Sequence, residues 1–133
     1  VSGVASFDGK VQVSCSDANP ISKPMQQPPT GIQFRSSQPG KGAAGELLRI
    51  NFHNGYAKAP GEQALGHLGQ GKATASIELA PREGAPFVSY FADPAKTKVV
   101  LAADLKSATV KGTFADATDD NKTVMVEATV KCQ

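Results

Sequence analysis

Residues 66 to 74, GHLGQGKAT, place Gly66, Gly71 and Lys72 at the spacing of a phosphate-cradling loop. Such a loop surrounds phosphates with backbone N–H groups and a lysine, and holds magnesium through a hydroxyl at the next position. Here that position is Ala73, which has no oxygen to give a metal. The residues that follow alternate Ala73, Ala75, Ile77, Leu79 against Thr74, Ser76, Glu78, the period of a half-buried strand. A phosphate loop needs a helix there, with its N-terminus facing the anion. The stretch is therefore read as a glycine-rich connection between strands, and no nucleotide is expected.

Other side chains with chemical potential are few. His53 and His67 are the only histidines, and their separation matches no H-x-x-x-H metal spacing. Asp116, Asp119, Asp120 and Asn121 are clustered but lack the glycine and closing glutamate of an EF-hand loop, so a solvated hairpin turn is expected instead. No G-x-S-x-G elbow presents a serine nucleophile. The expectation is a chain that is not an enzyme and carries no cofactor or metal. Asn121-Lys122-Thr123 is a glycosylation sequon, meaningful in a eukaryotic host.

Aromatic residues near turns offer recognition rather than reaction. Phe52, His53 and Tyr56 surround Asn54-Gly55, a place where binding residues often sit. Phe87, Val88, Tyr90 and Phe91 share a short strand, with Phe87 and Phe91 on one face and Val88 and Tyr90 on the other. One face belongs to the core, and the other is open to a ligand or partner unless the strand is buried on both sides. Phe52, His53, Tyr56 and Tyr90 are the candidate binding residues.

The chain of 133 residues is one domain, 1–133, with a formal net charge of +2 and 20% charged residues. The lysines form no run, and tryptophan is absent, so no nucleic-acid footprint is expected. No apolar stretch approaches a membrane span. A chain opening on Val1, without methionine or signal segment, reads as a processed mature domain whose targeting or lipid-carrying residue would precede it.

Cys15 ends the run Val11, Val13, Cys15, and Cys132 ends Val124, Val126, Ala128, Val130, Cys132. Both thus point to the apolar face of their strands and suit a disulfide joining the two ends, as in an exported protein. The other reading is two separate buried thiols.

The elements that would carry these residues are short strands. Val4 to Phe7 and Lys10 to Ser16 flank Asp8-Gly9, read as a hairpin turn. Residues 17 to 30 hold Pro20, Pro24, Pro28 and Pro29 and form a long connection. Strands follow around Ile32 and Phe34, over 46–53, 72–79, 87–91, 98–103, 107–114 and 123–131, with one or two helical turns conceivable in 62–68. The fold class is all-β: a mostly antiparallel sandwich or partly open barrel of eight or nine strands, with minor helix.

GQGKATASI, then KSATVKGTFADA, then the final VMVEATVKC with its near-terminal cysteine, resemble the mycobacterial LpqH-type lipoprotein antigens, as does the early VQVSC. The likeness covers the start of the chain, residues 69 to 77 and residues 107 to 132; the proline-rich stretch and extra strand within residues 20 to 60 lie outside it. The resemblance implies a lipid-anchored cell-envelope protein at the bacterial surface, with no catalytic residues to carry over.

The functional expectation is a non-enzymatic, secreted or cell-envelope binding or adhesion domain that contacts a protein or envelope component. The alternative is a carrier of a lipid or small hydrophobic ligand, which requires an apolar cavity of several hundred Å3. A secreted protein inhibitor using the loop at residues 20 to 30 is a further alternative.

Overall fold

The computed structural model describes residues 2–19, 31–36, 38–42, 45–56, 58–66 and 72–132, with an account of backbone alone for residues 2–10. Among these residues there is no helix, so the turns conceivable at 62–68 are not formed over 62–66, and residues 67–71 lie outside the description. The strands are β1 (Ser2–Ala18), β2 (Gly31–Ser36), β3 (Gly40–Lys41), β4 (Leu47–Asn54), β5 (Gly61–Glu62), β6 (Thr74–Ala80), β7 (Val88–Ala92), β8 (Lys98–Leu101), β9 (Ser107–Asp116) and β10 (Asp119–Cys132). The all-β expectation holds.

Pairing runs β10-β1-β2-β4-β6-β7-β9, and β9 pairs again with β10, so the strands follow one another around a ring without forming a regular barrel. β8 lies beside the first half of β9, on the edge whose second half is taken by β7. All strand pairs are antiparallel except the terminal strands β1 and β10, which run parallel.

That parallel seam corrects the hairpin expected at Asp8-Gly9. Ser2 to Ser6 pairs with Thr123 to Glu127, and Lys10 to Val13 pairs with Thr129 to Cys132, in the same direction. The chain therefore does not reverse; the two steps from Glu127 to Thr129 match four on β1, and the surplus is taken up as a bulge. A turn-prone dipeptide permits either outcome, and the long β10 partner selects the bulge.

Alternation along each strand sends one set of side chains inward. On β4 the inward set is Leu48, Ile50 and Phe52; on β6, Ala75 and Ile77; on β9, Ala108, Val110 and Phe114; on β10, Val124, Val126, Ala128 and Val130. These join one hydrophobic cluster, in which Phe34 and Phe52 stack with ring centroids 4.9 Å apart. Cys15 and Cys132 pack against this cluster and form a disulfide with Cα atoms 5.5 Å apart. The reading as two separate thiols is excluded, and the bridge closes the parallel seam at the chain's two ends.

Two close approaches shape the surface. A Cβ on Gly31 would lie 1.8 Å from the Asn54 carbonyl oxygen, so β2 enters against the end of β4 only with glycine there. A Cβ on Gly112 would lie 2.3 Å from the Thr97 Cα, and that space lets the segment after β7 lie down on β9.

Candidate functional site

The cross-strand register carries one row of outward side chains over six strands. Arg35 on β2 faces Asn51 on β4, which faces Ser76 on β6, then Phe91 on β7, Ala115 on β9 and Thr123 on β10. A second, shorter row runs Gln33, His53, Thr74. The period of two along each strand puts these residues on the face opposite the core. They line a groove of about 1030 Å3.

The rims are built by local hydrogen bonding. On one side Asp93 leaves β7 with its N–H bonded to the Thr113 carbonyl at 2.9 Å, and its Oδ1 accepts from the Ala95 N–H at 3.0 Å. The Thr97 hydroxyl then donates to the Thr113 carbonyl at 2.8 Å, above Gly112. This short turn presents Asp93 and Lys96 to the groove. At the neighbouring end, the β9–β10 hairpin is held by Asp116, whose Oδ1 accepts from both the Thr118 N–H and hydroxyl at 2.8 Å. Those two bonds, the backbone one foremost, hold the Asp116 carboxyl below its ordinary value. Asp119 makes a similar turn contact, accepting from the Asn121 N–H at 3.0 Å. Two members of the acidic cluster thus serve the turn, as the sequence suggests, while Asp120 is exposed and faces the groove. Among the described residues no group of His, Cys, Asp and Glu is placed to hold a metal ion.

The groove is polar at both ends and aromatic in the middle. Phe91 is 56% exposed at its centre. Phe87, on the same face of the strand segment, is covered by the Arg49 guanidinium, 4.5 Å from its ring centroid. Small residues flank Phe91 on both sides, Ser76 and Ala115, and leave its ring open to solvent. Toward β2 lie Gln33, Arg35, Asn51 and His53; toward the hairpin lie Asp93, Lys96 and Asp120, with Asp116 buried on the Tyr90 side. Among the described residues the side chains of Arg35, Asn51 and His53 make no hydrogen bond or ion pair with the protein.

The candidates from sequence separate clearly. His53 lines the groove. Phe52 is 1% exposed and its ring belongs to the core stack, because β4 turns that side chain inward with Ile50. Tyr56 is 45% exposed after the Asn54 turn, where its N–H bonds to Asn54 Oδ1 at 3.1 Å, and it lies outside the groove lining. Tyr90 is paired with buried Ile77 and packs against the core, so its face of β7 is the inner one. Burial first, and the adjacent Asp116 charge second, raise the Tyr90 hydroxyl above its ordinary pKa. The surface aromatic is Phe91, its neighbour. Alternation alone separated the two faces of this strand, but only the register Ser76 to Phe91 tells which one is outside. Arg35 and Asn51 were missed because polar residues on an outer face carry no signal until the strands are ordered. His67 and the proline-rich loop at residues 20–30 lie outside the described residues.

A second hollow of about 650 Å3 lies between residues 62–65 and β9, beside the exposed Met125 and a Lys98–Glu62 ion pair at 3.8 Å. Neither hollow is the interior of the ring. Among the described residues that interior is occupied by Phe34, Phe52, Phe114, Leu48, Ile50 and Ile77, each under 2% exposed. The glycine-rich stretch of the phosphate-loop spacing is bridged at its ends by Gly66 N–H to Ala73 carbonyl at 2.8 Å and Ala73 N–H to Ala64 carbonyl at 3.1 Å, and Ala73 leads directly into β6. No helix among the described residues is long and apolar enough to cross a membrane. No protein-family model, no curated protein and no solved structure matches this chain.

Proposed function

We propose that the chain is a non-enzymatic binding domain, exported or held at the cell envelope, that recognises a partner through the outer groove centred on Phe91. The observation that carries this reading is the half-exposed ring of Phe91 in a groove where the side chains of Arg35, Asn51 and His53 make no hydrogen bond or ion pair with the protein. An uncovered aromatic within a polar rim is the composition of an interaction hot spot, where the ring supplies apolar area and the rim supplies orientation. The disulfide supports an oxidising location, and the likeness to the LpqH-type lipoprotein antigens points the same way. Among the described residues side chains occupy the ring interior, so carriage of an apolar ligand would fall to the hollows outside it, this groove or the smaller one beside Met125.

The test is hydrogen exchange of the chain and its Phe91→Ala variant, each mixed with solubilised envelope and extracellular material from the organism that makes it. Slowed exchange over β6, β7 and β9 in the wild type, abolished in the variant, is the expected outcome. Slowed exchange confined to another surface, equal in both proteins, would remove the groove from consideration.

A further inference from the structure

We infer that the groove takes an extended segment of a protein partner that carries an acidic side chain, an apolar one and a basic one in that spatial order. The inference rests on the reading of the groove as the recognition surface and names its occupant. Its basis is the division of charge along the floor. The β2 and β4 end holds Arg35 with the amides of Gln33 and Asn51 and the His53 ring; the hairpin end holds the carboxylates of Asp93 and Asp120, offset in part by Lys96. Phe91 lies between them on the same row.

Each kind of ligand meets this pattern differently. A single-sign anion finds donors at Arg35 but repulsion at the far end. A fatty acid finds one apolar ring and then carboxylates. A polypeptide segment supplies opposite charges at its two ends and an apolar side chain between, and complementary charge fixes its register. Arg35 offers a planar fork suited to a partner carboxylate, and Asp120 is exposed to meet an ammonium or guanidinium.

The spacing follows from strand geometry. Arg35 to Phe91 spans three strand steps, at most about 14 Å at ~4.8 Å per step, and Phe91 to the start of β10 spans two, at most about 10 Å, because the row curves with the ring. An extended chain rising ~3.3 Å per residue covers these in no more than about four and about three residues. Side chains on one face of an extended segment recur every second residue, so the match is acidic, apolar about four positions on, and basic about two further, in either chain direction.

The experiment is selection of a displayed library of random peptides, about twelve residues long so as to exceed that span, on the intact disulfide-bonded chain, on Phe91→Ala and on Arg35→Glu. Unfolding curves of both variants establish that they are folded. Enrichment of the acidic, apolar, basic order on the wild type is expected. Loss of Phe91 should weaken the selected peptides by about tenfold or more. On Arg35→Glu, selection should replace the acidic residue with a basic one. Peptides that bind wild type and Phe91→Ala equally, or that lack the charge order, would overturn the inference. So would failure to enrich any peptide. If in that case a glycan array or lipid vesicles bind the wild type and not Phe91→Ala, the occupant is wrong and the groove assignment survives; if hydrogen exchange also finds no protection there, both fall.

Discussion

Leu48, Ile50 and Phe52 on one side of β4 are at most 1% exposed, while Arg49, Asn51 and His53, which alternate with them, stay at least partly open to solvent. The inner set determines where the strand sits, because a slip of one residue would turn every one of these side chains to solvent. The outer set inherits its register from that choice without contributing to it. Interior packing thereby aligns Arg35, Asn51, Ser76 and Phe91, residues far apart in the chain, at no requirement on their own identity. The outer face is free to vary, and the inner face is not.

Substitutions that strike the two faces should divide accordingly. Phe52→Ala leaves a cavity against Phe34 and should cost about 3–5 kcal/mol, read from urea unfolding. An effect below about 1 kcal/mol would mean that the inner stack does not anchor the sheet. Loss of the seam comes next. Replacing Cys15 and Cys132 together with serine opens a bridge across 117 positions and should cost about 2–4 kcal/mol in the same assay, by releasing the unfolded chain. Gly31→Ala should cost about 1–3 kcal/mol or more, because its Cβ meets backbone rather than a movable side chain.

On the outer face, Phe91→Ala should change stability by no more than about 0.5 kcal/mol. A loss as large as that of Phe52→Ala would erase the distinction between the faces and make Phe91 a structural residue.

The gentlest probe is acid. Hydrogen bonds from Thr118 hold the Asp116 carboxyl below its ordinary value of 3.8. Its contribution is therefore complete above that value and is lost as pH falls through the lower, folded-state value. Asp116→Asn should show a shallower decline of stability below pH 3.8 than the wild type, and parallel declines would show that the hairpin turn does not depend on the charge.

Inner positions were legible because they repeat. The runs Val11, Val13, Cys15 and Val124 to Cys132 announced both strands and the side to which their cysteines point. The choice between a hairpin and a bulge at Asp8-Gly9 was not legible, since it depends on β10, more than a hundred positions away. Nor was the choice between Tyr90 and Phe91. Both are aromatic, they are adjacent, and local sequence treats the two faces of a five-residue strand alike.

By itself the sequence determined the strand periodicity, the all-β class, the inward placement of the cysteines and the failure of the phosphate-loop pattern. These follow from side-chain polarity over a few neighbouring residues. Tertiary structure decided the parallel seam of the terminal strands, the ring order, and the row that brings Arg35, Phe91 and the hairpin carboxylates to one groove. Pairing partners are selected by burial of whole faces against one another, a property of the assembled sheet that no single stretch contains.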